Sequence, residues 1–369
     1  MEIKVNQSKL RKALSVVSRV ASSGRNAMPI LTNVLLEVSK NQLILTATNL
    51  ELAIVENIGV EVIKEGKITV PARLLADFVA NLPKNEDVII KEKDGKLLVN
   101  AGRYKSTINT MNAEDFPELP DIDEKSSVIY RIEKEKFQKS ISQVLVAVSN
   151  DMTRPILTGV FFNTSGDSLY VAATDGYRLV DKKILDKVES EVKAVIPAPA
   201  LQEVQKSISE DTEEIEILFA ETQVRFRLDE IEITSKLIDG SYPDYKQLIP
   251  KDTEINLVLD KIALERMTRV AALFAQNSSG SIICEAIKDE NKFRVSAVAS
   301  EVGENNSDID IKDIEKDGKV ILNSRFLLDA LNSTEEKNIE FCFSGNLSPV
   351  VIRGENNDKY VHIIMPLKS

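Results

Sequence analysis

The chain has 369 residues, 43% of them hydrophobic, and a formal net charge of −11, because 58 acidic residues outnumber 47 basic ones. This composition supports folded cores in roughly two to three domains. No apolar run is long enough to span a bilayer, and the opening MEIKVNQSKL lacks a signal-peptide pattern, so we expect a cytoplasmic protein with no membrane association.

The scarcity of histidine and cysteine limits the chemistry. The only histidine is His362, so a histidine-based triad or a histidine-rich metal site is not expected. The two cysteines, Cys284 and Cys342, are too few and too far apart for a zinc site, and each lies in an apolar run. We therefore predict that both are core residues, and we predict no metal or other cofactor.

The first predicted elements are a strand and a helix. In IKVNQSKLRKALSVVSRVA, the residues Leu10, Leu14 and Val17 recur at helical spacing, and Ser8 is a candidate cap. TNVLLEVSKNQLILTATN then predicts a hairpin, because apolar residues alternate around a polar turn. ITVPARLLADFVANL predicts a second helix, and DVIIKEKDGKLLVNA predicts a second hairpin closed by Asp94-Gly95.

The same order of elements recurs along the chain. MPILTN begins at 28 and RPILTG at 154, an offset of 126. At this offset TATNLE aligns with AATDGY, Phe116-Pro117 aligns with Tyr242-Pro243, and Asp77 aligns with Glu203. A fainter third copy contains SGSIICEAI and ILNSRFLLDAL, and it places Asp329 on the same register. A period this long indicates tandem domains, which we expect at 1–125, 126–251 and 252–369.

Basic residues concentrate on the predicted helices, whereas acidic residues concentrate in turns and strands. The segment from Ser8 to Arg25 contains five basic residues and no acidic one. Such a distribution attracts a polyanion to one surface, but Lys and Arg are also ordinary solvated helix residues, so charge alone leaves both interpretations open. The candidate DNA-binding residues are Lys9, Lys12, Arg25, Arg73, Lys139, Lys206 and Arg325.

Three further motifs carry a resemblance to a known family. ATDGYRL at 173–179, DGSYPDY at 239–245 and the C-terminal YVHIIMPLKS resemble, in order and spacing, the bacterial DNA polymerase III β subunits, or sliding clamps. The resemblance spans the whole chain. It implies an α+β fold of three tandem DNA-clamp domains, with helices lining the inside of a ring and antiparallel sheets outside. It also implies a non-catalytic processivity subunit: a homodimer that encircles double-stranded DNA without reading its sequence.

The resemblance further implies a cleft between the second and third copies for short linear motifs. The expected partners are the DNA polymerase III catalytic subunit, clamp-loader subunits, other polymerases and repair proteins. The matching positions are Arg154, Leu157, Thr174, Gly176, Tyr177, Arg178, Leu179, Pro243, Gln247, Leu248, Ile363, Ile364, Met365, Pro366 and Leu367. From the residues alone, IIMPL is also compatible with an edge strand ended by Pro366, and Leu157 and Leu179 with core residues. The sequence by itself favours the core for most of these positions.

This chain departs from the family at two places and matches it less specifically at a third. Gln247 stands where the family often has a basic residue, and the chain ends in Lys368-Ser369, where the family often has Arg and an apolar residue. Both changes lie at the rim of the expected cleft. The resemblance places the dimer interface at Ile108, Leu273 and Phe274.

Two other functions compete with the clamp. Asp175, Asp239 and Asp244 are candidate metal ligands for phosphoryl chemistry, although Asp175 and Asp244 lie in turns where Asp commonly bonds its own backbone. A β-rich scaffold that binds proteins but not DNA is the second alternative. The positions of the basic side chains on the helices distinguish this scaffold from a clamp.

Overall fold

The computed structural model describes residues 1–21, 28–119, 121–276, 279–299, 303–311 and 314–368. No helix in these ranges is long and apolar enough to cross a membrane. The chain separates into two compact units. Unit 1 comprises 1–134 and 199–237, and unit 2 comprises 135–198 and 238–369. Each unit therefore contains part of the second sequence copy.

The described residues form six α-helices. They are α1 (Gln7–Ala21), α2 (Ala72–Ala80), α3 (Lys134–Leu145), α4 (Ala198–Ser207), α5 (Lys261–Phe274) and α6 (Ser324–Ser333). Apart from the first residue of α3 and of α4, unit 1 contains α1, α2 and α4, and unit 2 contains α3, α5 and α6. Unit 1 therefore has two helices from the first sequence copy and one from the second, and unit 2 has one from the second copy and two from the third.

The strands are numbered through the whole chain. Unit 1 contains β1 (Glu2–Asn6), β2 (Asn33–Ser39), β3 (Gln42–Thr48), β4 (Leu52–Gly59), β5 (Glu61–Lys64), β6 (Gly66–Pro71), β7 (Asp87–Lys93), β8 (Lys96–Ala101), β9 (Tyr104–Asn109), β10 (Val128–Glu133), β15 (Glu214–Phe219), β16 (Gln223–Leu228) and β17 (Ile231–Lys236). Unit 2 contains β11 (Gly159–Ser165), β12 (Ser168–Thr174), β13 (Arg178–Leu185), β14 (Lys193–Pro197), β18 (Ile255–Asp260), β19 (Ser281–Ile287), β20 (Lys292–Ala299), β21 (Gly303–Asp310), β22 (Gly318–Asn323), β23 (Asn338–Phe343), β24 (Val350–Gly354) and β25 (Tyr360–Ile364).

Each unit is built around an eight-stranded antiparallel sheet that joins strands of two sequence copies. In unit 1 the order is β10-β15-β16-β17-β4-β3-β2-β6, and a five-stranded sheet has the order β5-β1-β7-β8-β9. In unit 2 the order is β14-β11-β12-β13-β25-β24-β23-β18, and a four-stranded sheet has the order β21-β20-β19-β22. The copies are joined where β17 pairs with β4 and where β13 pairs with β25.

The first predicted elements are confirmed. On α1, Leu10, Leu14 and Val17 are fully buried, so the apolar stripe faces the interior. The cap differs from the expectation: the side-chain oxygen of Asn6 accepts a hydrogen bond from the backbone N–H of Ser8 at 3.0 Å. The helix begins two residues earlier than a Ser8 cap requires, because it starts at Gln7 and not at Lys9. Asn supplies the same side-chain acceptor as Ser, so neighbouring polar residues compete for the cap.

The predicted hairpin turns also form. Asp94 and Gly95 adopt φ values of 54° and 68°, and Lys40 and Asn41 adopt 47° and 65°. Two consecutive left-handed residues are typical of the two-residue turns whose twist matches that of paired strands. Cys284 and Cys342 are both buried, which confirms their assignment to the core.

Polar contacts connect helices within each unit. In unit 1, the Arg19 guanidinium on α1 lies 2.6 Å from the Glu203 carboxylate on α4 and donates to the Ser207 hydroxyl. In unit 2, the Gln143 amide on α3 donates to the carbonyl of Ser333 on α6 at 2.6 Å. These contacts join α1 to α4 in unit 1 and α3 to α6 in unit 2.

Glu56 on β4 is a buried carboxylate of unit 1. It is 5% exposed, and its Oε2 atom lacks a hydrogen-bond partner among the described residues. Burial raises the pKa of Glu56 from 4.5 to about 7, although the positive charges of Lys12 and Arg19 act in the opposite direction. The folded protein therefore binds a proton on Glu56 at pH values where the unfolded chain does not.

Replacing Glu56 with Gln is expected to stabilise the protein at pH 8 by up to about 3 kcal/mol, because the cost of a buried carboxylate is removed. The raised folded-state pKa means that this gain declines as pH falls through 7 and vanishes near 4.5. Denaturant unfolding at several pH values measures it. Glu37→Gln, at an exposed position on β2, is the control. A gain for Glu56→Gln that is equal at pH 5 and pH 8 would contradict this account.

Candidate partner-peptide cleft and basic helix faces

The turn between β12 and β13 is held by the side chains of Thr174, an expected cleft residue, and Asp175, one of the candidate metal ligands. The Thr174 hydroxyl donates to the Arg178 carbonyl at 2.6 Å and accepts from the Gly176 N–H at 3.1 Å. The Asp175 carboxylate accepts from the N–H groups of Tyr177 and Arg178 at 2.9 and 3.0 Å. Gly176 has a φ of 90°, which other residues adopt only with strain. This turn is therefore rigid and presents Tyr177 outward.

Arg178 connects this turn to α6. Its guanidinium lies 3.0 Å from the Asp175 carboxylate and 2.5 Å from that of Asp329, and it stacks 4.4 Å from the Phe326 ring centroid. Arg178 is only 9% exposed, so the predicted cleft residue acts here as a fixed cross-link. Asp329 and Phe326 are not among the residues expected at the site. The alignment of Asp77, Glu203 and Asp329 at the 126-residue offset could have indicated Asp329, because Glu203 and Asp329 both pair with an arginine.

An aromatic cluster supports the wall formed by the DGSYPDY segment. The Phe161 and Tyr242 rings stack with centroids 4.7 Å apart, and Tyr245 meets Tyr242 edge-on at 6.3 Å. The Tyr242 hydroxyl accepts from the Thr174 N–H at 3.1 Å, and the Tyr245 hydroxyl donates to Asp181 at 2.8 Å. The wall and the turn are therefore joined by hydrogen bonds as well as by packing.

The expected cleft residues divide into a surface set and an interior set. The surface set comprises Tyr177, Leu248 and Met365, which are 62%, 52% and 37% exposed. The interior residues are Leu157, Leu179, Ile363 and Ile364, each at most 5% exposed. These four pack in the hydrophobic core of unit 2, while the exposed set is available for contact.

The remaining expected residues are exposed or half-buried. Arg154 lies beside the Asp151 carboxylate at 3.5 Å, and its guanidinium would be 3.4 Å from a Cβ placed on Gly176. The Gln247 amide donates to Asp244 at 2.6 Å. Pro243 is exposed, and Pro366 and Leu367 are half-buried. The chain after β25 is anchored because the Met365 N–H donates to Tyr177 and the Leu367 N–H donates to Ile321.

The basic residues lie on the solvent side of their helices. On α1, Lys9 and Lys12 are exposed opposite the buried stripe, and Arg73 on α2 is exposed beside Asp77 at 3.9 Å. Lys206 on α4 and Arg325 on α6 are exposed. Among the residues described, Lys9, Lys12, Lys206 and Arg325 form no salt bridge within 4 Å.

Two expected DNA-binding residues differ from this pattern. Lys139 on α3 forms a salt bridge with Glu335 at 2.5 Å. Arg25 lies outside the described residues. The residues expected at the dimer interface also differ from one another. Leu273 is 64% exposed, Phe274 packs partly against the core of unit 2, and Ile108 is buried within unit 1.

The metal-site alternative finds little support in these contacts. Asp175 bonds its own turn and Arg178, and Asp244 accepts from Gln247. Within the described ranges, no group of three or more His, Cys, Asp or Glu side chains is arranged to hold a metal ion. The turn instead presents the exposed side chain of Tyr177.

Comparison with known families and structures identifies the chain's relatives. Family models match three successive segments: the N-terminal domain of the DNA polymerase III beta subunit over 1–120, its central domain over 131–244 and its C-terminal domain over 246–368. The beta sliding clamp of Staphylococcus epidermidis is 28% identical over 359 residues, which cover 95% of this chain and 94% of that protein.

Solved structures show the same fold. The DNA polymerase sliding clamp of Bacillus subtilis has 27% identity and a TM-score of 0.95, over 100% of this chain and 99% of that one. A sliding clamp of Pseudomonas aeruginosa bound to griselimycin has 28% identity and a TM-score of 0.93, over 100% of both chains. The α+β fold of three clamp domains is therefore confirmed. The chain belongs to the DNA polymerase III beta subunit family, the non-catalytic sliding clamps of DNA replication.

Proposed function

We propose that two copies of this chain form a ring that encircles duplex DNA and tethers the DNA polymerase III catalytic subunit during replication. The observation that carries the proposal is the succession of three clamp domains along nearly the whole chain. Clamp-loader subunits, other polymerases and repair proteins use the same cleft in this proposal. The finer assignments of partners and site residues are predictions of the same account.

The dimensions of such a ring suit a duplex. Two chains supply twelve helices of the kind described above, and side by side at ~10 Å each they make a circumference of about 120 Å. That circle is about 38 Å across through the helix axes and about 28 Å clear inside. The opening would leave a layer of water around the DNA. The ring then stays on the DNA because it encircles the duplex, and no tight contact between protein and DNA is needed.

The helix cations support sliding rather than fixed binding. Lys9, Lys12 and Lys206 have flexible side chains that project into solvent from helices of unit 1. Lysines of this kind meet phosphates without selecting a register, because phosphate contacts carry no direct sequence information. A net charge of −11 over the whole chain repels DNA from other surfaces and favours contact through these helices.

The exposed apolar side chains support peptide binding in unit 2. Tyr177, Leu248 and Met365 would cover the apolar anchors of a short linear motif, and the rigid turn at Gly176 lets a peptide backbone approach closely. Such motifs lose conformational entropy on binding, so isolated peptides bind weakly. Attachment of the partner to the same DNA raises its effective concentration and offsets this weakness.

Reversing two helix charges tests the DNA contact. Lys9→Glu with Lys12→Glu is expected to weaken binding to a short duplex at least about fivefold at low salt and to lower the slope of log affinity against log salt by about 1–2, because phosphate contacts are lost. The control is Lys64→Glu with Lys67→Glu, which makes the same charge change at exposed strand positions of unit 1. Equal effects of the two double variants would show that only net charge matters.

Truncating two exposed cleft side chains tests the peptide site. Leu248→Ala with Met365→Ala is expected to weaken binding of a peptide taken from the catalytic subunit's clamp-binding segment by about tenfold or more, since each lost apolar contact costs about 1 kcal/mol. Fluorescence anisotropy measures the affinity. Leu347→Ala, at a position 68% exposed in unit 2, is the control. The assignment fails if the double variant binds as tightly as the parent protein.

A further inference from the structure

A pocket of about 290 Å³ lies in unit 1, where the first and second sequence copies meet. Three segments line it: the turn at 48–53, the segment at 117–119, and residues of β16 and β17. Its volume lies near the lower end of ligand pockets, at roughly 300 Å³, which suits one or two side chains of a ligand. None of its residues belongs to the partner-peptide cleft or to the candidate DNA-binding set.

The turn in this pocket has the same hydrogen bonds as the turn in the partner-peptide cleft. The Thr48 hydroxyl donates to the Leu52 carbonyl and accepts from the Leu50 N–H, both at 3.0 Å. The Asn49 side-chain oxygen accepts from the N–H groups of Glu51 and Leu52 at 3.0 and 2.8 Å. These are the bonds that Thr174 and Asp175 make 126 residues later.

The neighbouring strand end also has the same geometry. The Lys236 N–H donates to the Glu51 carbonyl at 2.9 Å, and the Met365 N–H donates to the Tyr177 carbonyl at 2.8 Å. The strand pairing has the same register at both places. Ala53 on β4 lies opposite Thr234 on β17. Leu179 on β13, which aligns with Ala53 at the 126-residue offset, lies opposite Ile363 on β25. The pocket is therefore the counterpart, in the first copy, of the partner-peptide cleft.

Leu50 stands where the second copy has Gly176. Leu50 adopts a φ of 75°, a left-handed conformation that glycine adopts without cost and leucine does not. Its side chain is 46% exposed, so burial of this side chain in unit 1 offsets only part of the conformational cost of the left-handed backbone. Backbone strain combined with an exposed apolar side chain is typical of a residue that serves a ligand.

The charges around the pocket select the class of ligand. Glu51 and Glu118 are exposed on its lining, and Lys236 is the one basic residue there among those described. Leu50, Leu52, Pro117 and Leu119 supply an apolar wall. Gln223 also lines the pocket, and its side-chain oxygen has no hydrogen-bond partner in the described structure. A peptide that has a basic residue beside an apolar one complements these groups.

We propose that this pocket is a second docking site, for a short extended peptide with an apolar side chain next to Lys or Arg. The apolar side chain enters between Leu50 and Leu119, the basic side chain pairs with Glu51 or Glu118, and a peptide N–H bonds Gln223 after rotation of its amide. The site is separate from the partner-peptide cleft, so its existence does not depend on the function proposed for that cleft.

The test uses the full-length protein with methyl-labelled leucine and two synthetic peptides, acetyl-Lys-Leu-Leu-Lys-amide and acetyl-Glu-Leu-Leu-Glu-amide. The basic peptide is expected to shift the methyl resonances of Leu50, Leu52 and Leu119 saturably and to bind at least about tenfold more tightly than the acidic one. Shifts that do not saturate at millimolar peptide, or equal affinity for the two peptides, would overturn the proposal.

Variants locate the binding and separate it from folding. Leu50→Gly is expected to weaken binding at least about tenfold while leaving the unfolding midpoint unchanged or higher, because glycine relieves the left-handed strain. Leu248→Ala in the partner-peptide cleft is expected to leave this binding unchanged.

A lower midpoint for Leu50→Gly would show that Leu50 is only a packing residue. Loss of binding in Leu248→Ala would place the peptide in the other cleft. Either result rejects the proposal.

Discussion

Main-chain pairing between successive sequence copies is the constraint on which the rest of the structure depends. In unit 1, β17 of the second copy pairs with β4 of the first, and in unit 2, β25 of the third copy pairs with β13 of the second. Each pairing merges strands of two copies into one eight-stranded sheet. Because a shift of one residue would turn every side chain to the opposite face, the pairing also fixes which residues line each junction.

The two junctions share a backbone but differ in their side chains. The turns at Thr48 and Thr174 have the same hydrogen bonds, yet Leu50 replaces Gly176 and Glu51 replaces Tyr177. One local design therefore gives an aromatic, apolar surface at the junction in unit 2 and an acidic-rimmed pocket at the junction in unit 1. The similar segments MPILTN and RPILTG belong to the same repeat. The first precedes the turn at Thr48, and the second precedes the turn at Thr174.

Much of this architecture could be predicted from the sequence, because its signals are local. The helical spacing of Leu10, Leu14 and Val17 and the turn at Asp94-Gly95 depend on neighbouring residues, and both are confirmed. The 126-residue offset also placed equivalent turns correctly. What could not be predicted depends on contacts between distant residues. Nothing local indicates that strands of the second copy divide between two sheets, or that Asp329 holds Arg178.

A clamp stays on DNA because it is topologically linked to it, so it needs little affinity for DNA. A chain with a net charge of −11 has little general attraction for DNA, and in the proposed ring the exposed helix lysines would supply weak contacts that a topological link makes sufficient. The most direct measurement loads the protein onto a nicked circular duplex, cuts the circle once, and compares the protein retained before and after cutting. The account predicts release when the DNA becomes linear. Equal retention on circular and linear DNA would contradict it.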